Sequence, residues 1–171
     1  MKSKALTANS STLQLTNVYQ SPLGNIVLTS NGTALTGLRF EELHTAFPAQ
    51  GNPLFADTCR WLDLYFNHHQ PDFIPQLALS GTPFQLSVWR ELLTIPYGHT
   101  LSYGAIAKRL HCRSAQAVGS AVGRNPIALI IPCHRVIGSN GHLTGYAYGL
   151  ARKQWLLTHE TSPEGKCPPL I

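Results

Sequence analysis

One short segment of the 171-residue chain combines residue types that could perform nucleophilic chemistry. Cys133 is followed directly by His134 and Arg135, and a neighbouring base or positive charge helps a thiol become the reactive thiolate. Glu160, at the end of the last predicted helix, could orient the imidazole. Adjacent residues of an extended chain point in opposite directions, so Cys133 and His134 need a turn, a bridging water or both. A buried structural cysteine beside a satisfied histidine is the alternative.

The other thiols and histidines give no pattern of a metal centre. The spacings of Cys59, Cys112 and Cys167 fit no zinc-ligand arrangement, and so few cysteines in a chain expected in the cytoplasm argue against disulfides. The pair His68-His69 is typical of a solvated helix end without further ligands nearby. We therefore expect neither a metal ion nor a disulfide framework.

The positive charge of the chain is concentrated in its second half. Residues 1–80 hold four Lys or Arg against five Asp or Glu, whereas residues 81–160 hold eight against two. A concentrated positive field attracts polyanions, of which nucleic acid is the commonest. Charge also serves ordinary solubility, so this distribution favours a nucleic-acid partner without settling the matter.

The expected fold class is α+β, with a small mixed domain over residues 1–80 and a mostly helical domain over residues 81–171. The predicted strands span residues 13–19, 25–29, 34–40 and 72–75. Asn31-Gly32 between two β-rich runs indicates a hairpin, and a helix is expected from about Pro53 to Asn67. No chemistry is predicted in this first domain.

Helices are expected to make up most of the second domain. Thr82-Pro83 predicts a capped helix start, since threonine caps and proline fits the first helical position. Two short helices, from Tyr103 to Leu110 and from Ser114 to Arg124, suggest a helix-turn-helix within the basic half. A buried αα-hairpin is the alternative, but the second helix is poor in bulky side chains and could approach another backbone closely. A last helix is expected from Leu150 to Glu160.

The segment around the reactive cysteine closely resembles the active-site signature of methylated-DNA–protein-cysteine methyltransferases. The resemblance rests on Pro132-Cys133-His134-Arg135-Val136, preceded by Arg124-Asn125-Pro126 and Leu129-Ile130-Ile131. It extends from Thr82 to Glu160, which is about the C-terminal half of the chain. The N-terminal half is similar to the family only in plan, as a small mixed α/β domain.

This resemblance implies a DNA repair protein that takes the alkyl group of a damaged base onto its own Cys133. The expected substrate is 6-O-alkylguanine in double-stranded DNA, with 4-O-alkylthymine accepted less readily. Members of the family bind the minor groove with a helix-turn-helix and swing the damaged nucleotide into a pocket. Because the thiolate itself is the irreversible acceptor, the resemblance implies no cofactor.

The resemblance also assigns roles to individual residues. The residues expected to serve catalysis are Cys133, His134, Glu160, Asn125 and Tyr103. Among them, Asn125 matches an asparagine that braces the active-site turn, and Tyr103 matches a tyrosine that donates to the guanine ring. The residues expected to contact the lesion are Tyr146, Val136, Ala147, Tyr148 and Lys153. The residues expected to contact DNA are Ser114, Gln116, Ala117, Arg124 and Arg135.

Three positions depart from the family pattern. Gln116 stands where many members place an arginine that fills the vacated base stack, and glutamine is shorter and uncharged. Tyr148 stands where some members have glycine, which would narrow access for bulky alkyl groups. Ala147 replaces a hydroxyl donor of some members and leaves only its backbone N–H for the leaving oxygen. These departures concern alkyl size and rate, since none of them removes the nucleophile.

Two other functions are alternatives to this interpretation, and the apolar pattern bears on the location of the protein. A cysteine hydrolase would turn over many times, whereas an alkyl acceptor takes one group per chain. A DNA-damage sensor could flip the base without reacting, but related sensors lack the cysteine that is present here. No run of about 18 apolar residues occurs, and no long apolar stretch follows the first charges, so we expect no membrane span and no secretory signal. A cytoplasmic monomer is therefore expected.

Overall fold

The computed structural model describes residues 14–42 and 52–162. The chain begins with a three-stranded antiparallel sheet in the order β1-β2-β3. Strand β1 spans Leu15–Ser21, β2 spans Gly24–Ser30 and β3 spans Leu35–Phe40. The predicted hairpin at Asn31-Gly32 is confirmed, although its loop has four residues. The Asn31 side chain shapes this loop by accepting hydrogen bonds from the backbone N–H groups of Thr33 and Ala34. Gly32 adopts a φ of 98°.

The predicted N-terminal helix is confirmed, with its first turn wound more tightly. Pro53–Phe55 forms a 3-10 turn that leads into α1, Ala56–Phe66. One face of α1 buries Trp61, Leu62 and Tyr65 in the core. The helix is therefore amphipathic.

The predicted strand over residues 72–75 is wrong. None of these residues has strand geometry, and the prolines at both sides, Pro71 and Pro75, lack the N–H that a ladder requires. Pairing occurs slightly later instead, where the Leu35 N–H donates to Gln76 O and the Ala78 N–H donates to Leu35 O, both at 2.8 Å. The segment after α1 thus adds a short parallel bridge to the edge of β3.

The second half is mostly helical, and its first helix starts as predicted. Helix α2 spans Pro83–Leu92, and a capping box joins Thr82 and Gln85 through two reciprocal hydrogen bonds. The remaining helices are α3, Tyr103–Arg109; α4, Ala115–Gly123; and α5, Leu150–Thr161. Two short strands, β4 over Leu101–Ser102 and β5 over Val136–Ile137, pair in parallel. This architecture confirms the α+β fold class.

Helices α3 and α4 form the expected pair of short helices on a tight turn. Ser114 caps α4 by accepting a hydrogen bond from the Ala117 N–H at 3.1 Å. One side of α4 buries Val118, Ala121 and Val122, and the indole N–H of Trp89 in α2 donates to Ala121 O at 2.9 Å. The opposite side of α4 faces solvent, so this helix is both a core helix and a surface helix.

One continuous core joins the two halves of the chain. Its buried residues come from the sheet, from α1 and from the helices of the second half. The Leu38 N–H of β3 donates to Pro126 O, and the Ala128 N–H donates to Leu38 O, both at 2.9 Å. The N-terminal sheet therefore holds the segment that leads to Cys133. The domain boundary near residue 80 stays a prediction. Among the described residues, no helix has the length and apolar character needed to span a bilayer.

Candidate active site

A tight turn places the candidate nucleophile within the core. Cys133–Arg135 forms a 3-10 turn, and this supplies the turn that the adjacent cysteine and histidine require. The preceding Leu129 is fully buried and has a φ of 66°, a left-handed conformation that is an outlier for a bulky side chain. Backbone bonds from Ile130 N–H to Ala128 O and from Ile131 N–H to Ile127 O hold this bend in place.

Asn125 fixes the same bend from the side. Its Nδ2 donates to Ile131 O at 2.8 Å, and its Oδ1 accepts from the Ile127 N–H at 3.0 Å. The Asn125 side chain also hydrogen-bonds Cys133. It lies where the resemblance implied a brace for the active-site turn.

His134 and Glu160 form a buried pair behind the cysteine. Imidazole Nε2 lies 2.6 Å from carboxylate Oε1, and both side chains are fully inaccessible to solvent. An ionised carboxylate can only accept, so Nε2 carries the proton and donates it to Oε1. Nδ1 of His134 is then the basic nitrogen, and it has no hydrogen-bond partner among the described residues.

The carboxylate of Glu160 is surrounded by donors. Oε1 accepts from His134 Nε2, from the Tyr65 hydroxyl at 2.8 Å and from Arg135 Nη2 at 3.1 Å. Oε2 accepts from Arg135 Nε at 2.8 Å and from the Gly98 N–H at 3.0 Å. Burial by itself would raise the pKa of the Glu160 carboxyl, but His134 and the permanently charged Arg135 outweigh burial and hold that pKa well below its usual range. Glu160 is therefore an anion.

The resting state of the site is a thiol beside a neutral imidazole. Burial raises the pKa of the Cys133 thiol, and the Asn125 hydrogen bond and the Lys153 charge offset this only in part. Burial also lowers the pKa of the His134 imidazole, despite the opposing effect of Glu160. The thiol therefore needs a base to become a thiolate near neutral pH, and neutral His134 is available as that base.

Cys133 lies in the wall of a pocket. The space inside the pocket is about 460 Å³ when the open solvent at its mouth is included. Its walls are formed by Tyr103, Gly119, Val122, Gly123, Asn125, Cys133, Gly145, Tyr146, Ala147 and Tyr148. Five of the residues expected to serve catalysis or contact the lesion thus meet the nucleophile here.

The loop before α5 forms one wall of the pocket, and two tyrosines dominate it. The rings of Tyr146 and Tyr148 meet edge to face at 5.5 Å, and Tyr148 packs in the same way against Phe40 of β3 at 5.2 Å. Burial raises the pKa of the Tyr148 hydroxyl to about 12, and it also holds the pKa of the Tyr146 hydroxyl well above its usual value. The Tyr146 hydroxyl is buried, protonated and without a partner among the described residues, so it can donate to a ligand.

Lys153 lies beneath this loop and does not line the pocket. Its side chain is fully buried, and Nζ donates to Thr144 O at 2.9 Å and to Gly145 O at 3.1 Å. The Tyr103 hydroxyl donates to the same Thr144 carbonyl at 3.1 Å. Burial lowers the pKa of the Lys153 ammonium, and Cys133 opposes that shift. Lys153 thus holds the loop, and Val136 is likewise fully buried outside the pocket walls.

Arg135 does not occupy the position expected of a DNA contact. Its side chain is 9% exposed, and its guanidinium binds Glu160 and the Ile95 carbonyl, the latter at 2.7 Å. All three nitrogens of this buried guanidinium donate to protein groups, so it is not presented to a phosphate at the surface. The expected DNA contact of Arg135 is therefore wrong, and the residue belongs to the hydrogen-bond network behind the nucleophile.

The other expected DNA contacts lie on α4 or at its ends. Ser114, Gln116 and Arg124 are exposed, and Ala117 is half-buried. Gln116 lines an open groove that shares Tyr103 with the pocket of Cys133. This arrangement brings the helix surface and the pocket mouth together on one side of the protein.

Two of the donors to Glu160 were not predicted from the sequence. Tyr65 and Gly98 both donate to Glu160, although 95 and 62 positions separate them from it. No local signal marks either residue, because Tyr65 has the spacing of an ordinary core residue of α1. Within residues 14–42 and 52–162, no cluster of three or more potential metal ligands is present.

Comparisons with known proteins agree with this geometry. The family model described as 6-O-methylguanine DNA methyltransferase, DNA binding domain, matches residues 83–162. The model described as 6-O-methylguanine DNA methyltransferase, ribonuclease-like domain, matches residues 15–79. The two matches together span most of the chain.

Individual relatives extend the same result. The methylated-DNA–protein-cysteine methyltransferase of Mycobacterium leprae is 47% identical over 146 residues, covering 82% of this chain and 88% of that protein. The crystal structure of Mycobacterium tuberculosis OGT in complex with DNA has a TM-score of 0.77 and 44% identity, covering 85% and 92% of the two chains. The Mycobacterium tuberculosis O6-methylguanine methyltransferase has a TM-score of 0.78 and 43% identity, covering 88% and 96%. The chain belongs to the methylated-DNA–protein-cysteine methyltransferase family.

Proposed function

We propose that this protein repairs alkylated DNA by transferring the alkyl group from the 6-O position of guanine directly and irreversibly to Cys133. The observation that carries the proposal is that Cys133 lines a pocket and is followed directly in the chain by His134, which forms a buried pair with Glu160. Family membership supports the same reaction. We propose that 4-O-alkylthymine is a slower substrate.

The reaction begins with activation of the thiol. Nδ1 of His134 accepts the Cys133 proton, directly or through a water, and Glu160 stabilises the imidazolium that forms. The thiolate attacks the alkyl carbon, so that a C–S bond forms while the C–O bond to guanine breaks. The electron pair of that bond stays on the 6-O atom, and the imidazolium or solvent returns the proton to the base. The products are S-alkylcysteine and unmodified guanine, and no cofactor enters the balance.

The pocket residues are proposed to hold the base during this transfer. Tyr103 and Tyr146 supply hydroxyl groups, and the backbone carbonyls of Cys133 and Val136 would accept from the exocyclic amine. Ala147 offers only a backbone N–H to the leaving oxygen. Because the Tyr146 hydroxyl is unpartnered and protonated, we assign it a second donation to the bound lesion.

Helix α4 is proposed to enter the minor groove while the damaged nucleotide turns into the pocket. Its small, exposed surface and the exposed Arg124 support close approach to the DNA backbone. We propose that Gln116, which lines the groove beside the pocket, fills the gap that the extruded base leaves. We further propose that the protein acts as a cytoplasmic monomer.

Intact-mass measurement tests the proposal. The protein is mixed with duplex DNA that contains one 6-O-methylguanine, and we expect one added methyl group per chain, on the peptide that carries Cys133. Unmodified DNA should add nothing, and Cys133→Ser should lose transfer while it keeps DNA binding. No added methyl, a methyl on Cys59, Cys112 or Cys167, or repeated turnover of the substrate would contradict the proposal.

A further inference from the structure

We propose that Tyr65, a residue of the N-terminal half, is a positioning residue that keeps His134 in its proton-accepting form by donating a hydrogen bond to Glu160. This inference rests on the proposed alkyl transfer and adds a role for the half of the chain without a nucleophile. Tyr65 touches neither the thiol nor the pocket. It acts through the carboxylate.

The geometry around Tyr65 is well defined. The side chain lies in the last turn of α1 and is fully buried. Its hydroxyl is 2.8 Å from Glu160 Oε1 and 3.5 Å from His134 Nε2, so it shares one carboxylate oxygen with the imidazole. Burial raises the pKa of this hydroxyl well above its usual range, and it therefore remains a donor.

The same residue anchors α5 to α1 a second time. The Tyr65 carbonyl accepts a hydrogen bond from His159 Nε2 at 2.7 Å, one position before Glu160. The Tyr65 ring stacks on Trp61 at 5.3 Å and tilts against His159 at the same distance. Loss of the hydroxyl alone would leave this packing and the carbonyl bond in place. Tyr65→Phe is therefore a clean probe of the bond to Glu160.

The shared oxygen determines how the hydrogen bond acts on the histidine. Donation from Tyr65 withdraws electron density from Oε1, so the carboxylate stabilises an imidazolium at His134 less strongly. His134 consequently stays neutral, and able to accept the Cys133 proton, at lower pH. The other titratable or charged groups that face this centre are Arg135, Cys133, Lys153, His159, Tyr97 and Tyr146. All of them remain in the Tyr65→Phe variant.

The matched control is Tyr19→Phe. The Tyr19 hydroxyl also donates to a carboxylate of α1, Asp63 Oδ1 at 2.7 Å, but it does not contact Glu160 or His134. Both variants therefore lose one hydrogen bond from a tyrosine hydroxyl of the N-terminal half to a carboxylate. Only one of them changes the site.

Two readouts across pH 5 to 9 test the inference on the full chain. The first is the single-turnover rate of methyl transfer from duplex DNA containing 6-O-methylguanine. The second is the rate at which iodoacetamide modifies Cys133, located by peptide mass, which requires no DNA. For Tyr65→Phe we expect the acid limb of both profiles to move up by about one pH unit, with the plateau retained. At a pH on that limb, the rate should fall about tenfold. Tyr19→Phe should follow the wild-type profile.

Each possible outcome decides between a positioning role and a structural role. A Tyr65→Phe profile that coincides with wild type, or one lowered equally at every pH with an unmoved midpoint, overturns the inference. A shifted limb in both readouts supports it. Failure of the wild-type protein to accept a methyl group would overturn the proposed function, whereas the iodoacetamide profile would still decide the role of Tyr65.

Discussion

Replacement of Arg135 by glutamine separates a buried network residue from a DNA contact. The guanidinium donates twice to Glu160 and once to the Ile95 carbonyl, at 2.7 to 3.1 Å. Arg135→Gln would remove the permanent charge and leave the Glu160 carboxylate, which is fully buried, without its permanently charged partner. The variant should therefore lose stability and leave DNA affinity unchanged.

The size of the loss follows from the burial of the pair. Removal of one partner from a buried ion pair costs about 3–5 kcal/mol, because the remaining charge is uncompensated. Small proteins unfold with roughly 5–15 kcal/mol, so this change is a large fraction of the total. Arg109→Gln is the matched control: Arg109 also binds a carboxylate, Glu91, at 2.7 Å, but its side chain is 52% exposed. We expect a loss of about 0–1 kcal/mol there.

Urea unfolding of the three proteins measures these losses, with the m-value checked for constancy. The double variant Arg135→Gln, Glu160→Gln should recover part of the loss, because it removes both charges. DNA binding at several salt concentrations is the second assay, since loss of one phosphate contact would lower the slope by about 0.9. A loss below about 1 kcal/mol for Arg135→Gln, or a reduced salt slope, would refute the assignment of Arg135 to the buried network.

Three further expectations concern acid stability, alkyl size and DNA affinity. Burial lowers the pKa of His134 and of His159, so the unfolded chain binds more protons at acid pH than the folded chain does. The free energy of unfolding should therefore decrease as pH falls below about 6.5. Equal free energies of unfolding at pH 7.5 and pH 5.5, measured with urea, would contradict this. Tyr148→Ala should widen the pocket and speed benzyl transfer from 6-O-benzylguanine on the order of tenfold relative to methyl transfer. Single-turnover rates of the two transfers measure this, and an unchanged ratio of benzyl to methyl rate would exclude Tyr148 as the steric limit. Gln116→Arg adds a cation at an exposed position and should steepen the slope of log K for DNA binding against log salt concentration by about one unit. An unaltered slope would mean that this residue lies away from the phosphates.

Features set by neighbouring residues were predictable from the sequence. The start of α2 follows from Thr82-Pro83, because the cap and the fixed φ of proline act within a single turn. The hairpin at Asn31-Gly32 is local in the same sense. The prediction of a strand over residues 72–75 was wrong for a local reason as well. It gave the apolar residues of this segment more weight than Pro71, directly before it, and Pro75, its last residue.

Features that depend on distant pairing were not predictable. Arg135 has the charge expected of a DNA contact, but in the fold its guanidinium binds the buried Glu160 carboxylate and does not face solvent. Tyr65 has the helical spacing of a core residue, and nothing in its neighbourhood indicates a carboxylate 95 positions later. Lys153 has the charge of a ligand contact and was expected to touch the lesion, but its Nζ donates to two carbonyls of the loop before α5. In each case the tertiary fold, rather than the residue type, determines the role.

The complete burial of Glu160 has a consequence for how much its charge can influence the histidine. Coulomb energy varies inversely with the dielectric constant. With an effective dielectric constant near 20 in a protein, the interaction energy of two charges is about four times that in water. Helix α1 and its Tyr65 help to keep solvent away from this carboxylate. The N-terminal half, which does not contain Cys133, thus contributes to the reaction by excluding water. It preserves the low dielectric in which the Glu160 anion acts strongly on the His134 proton.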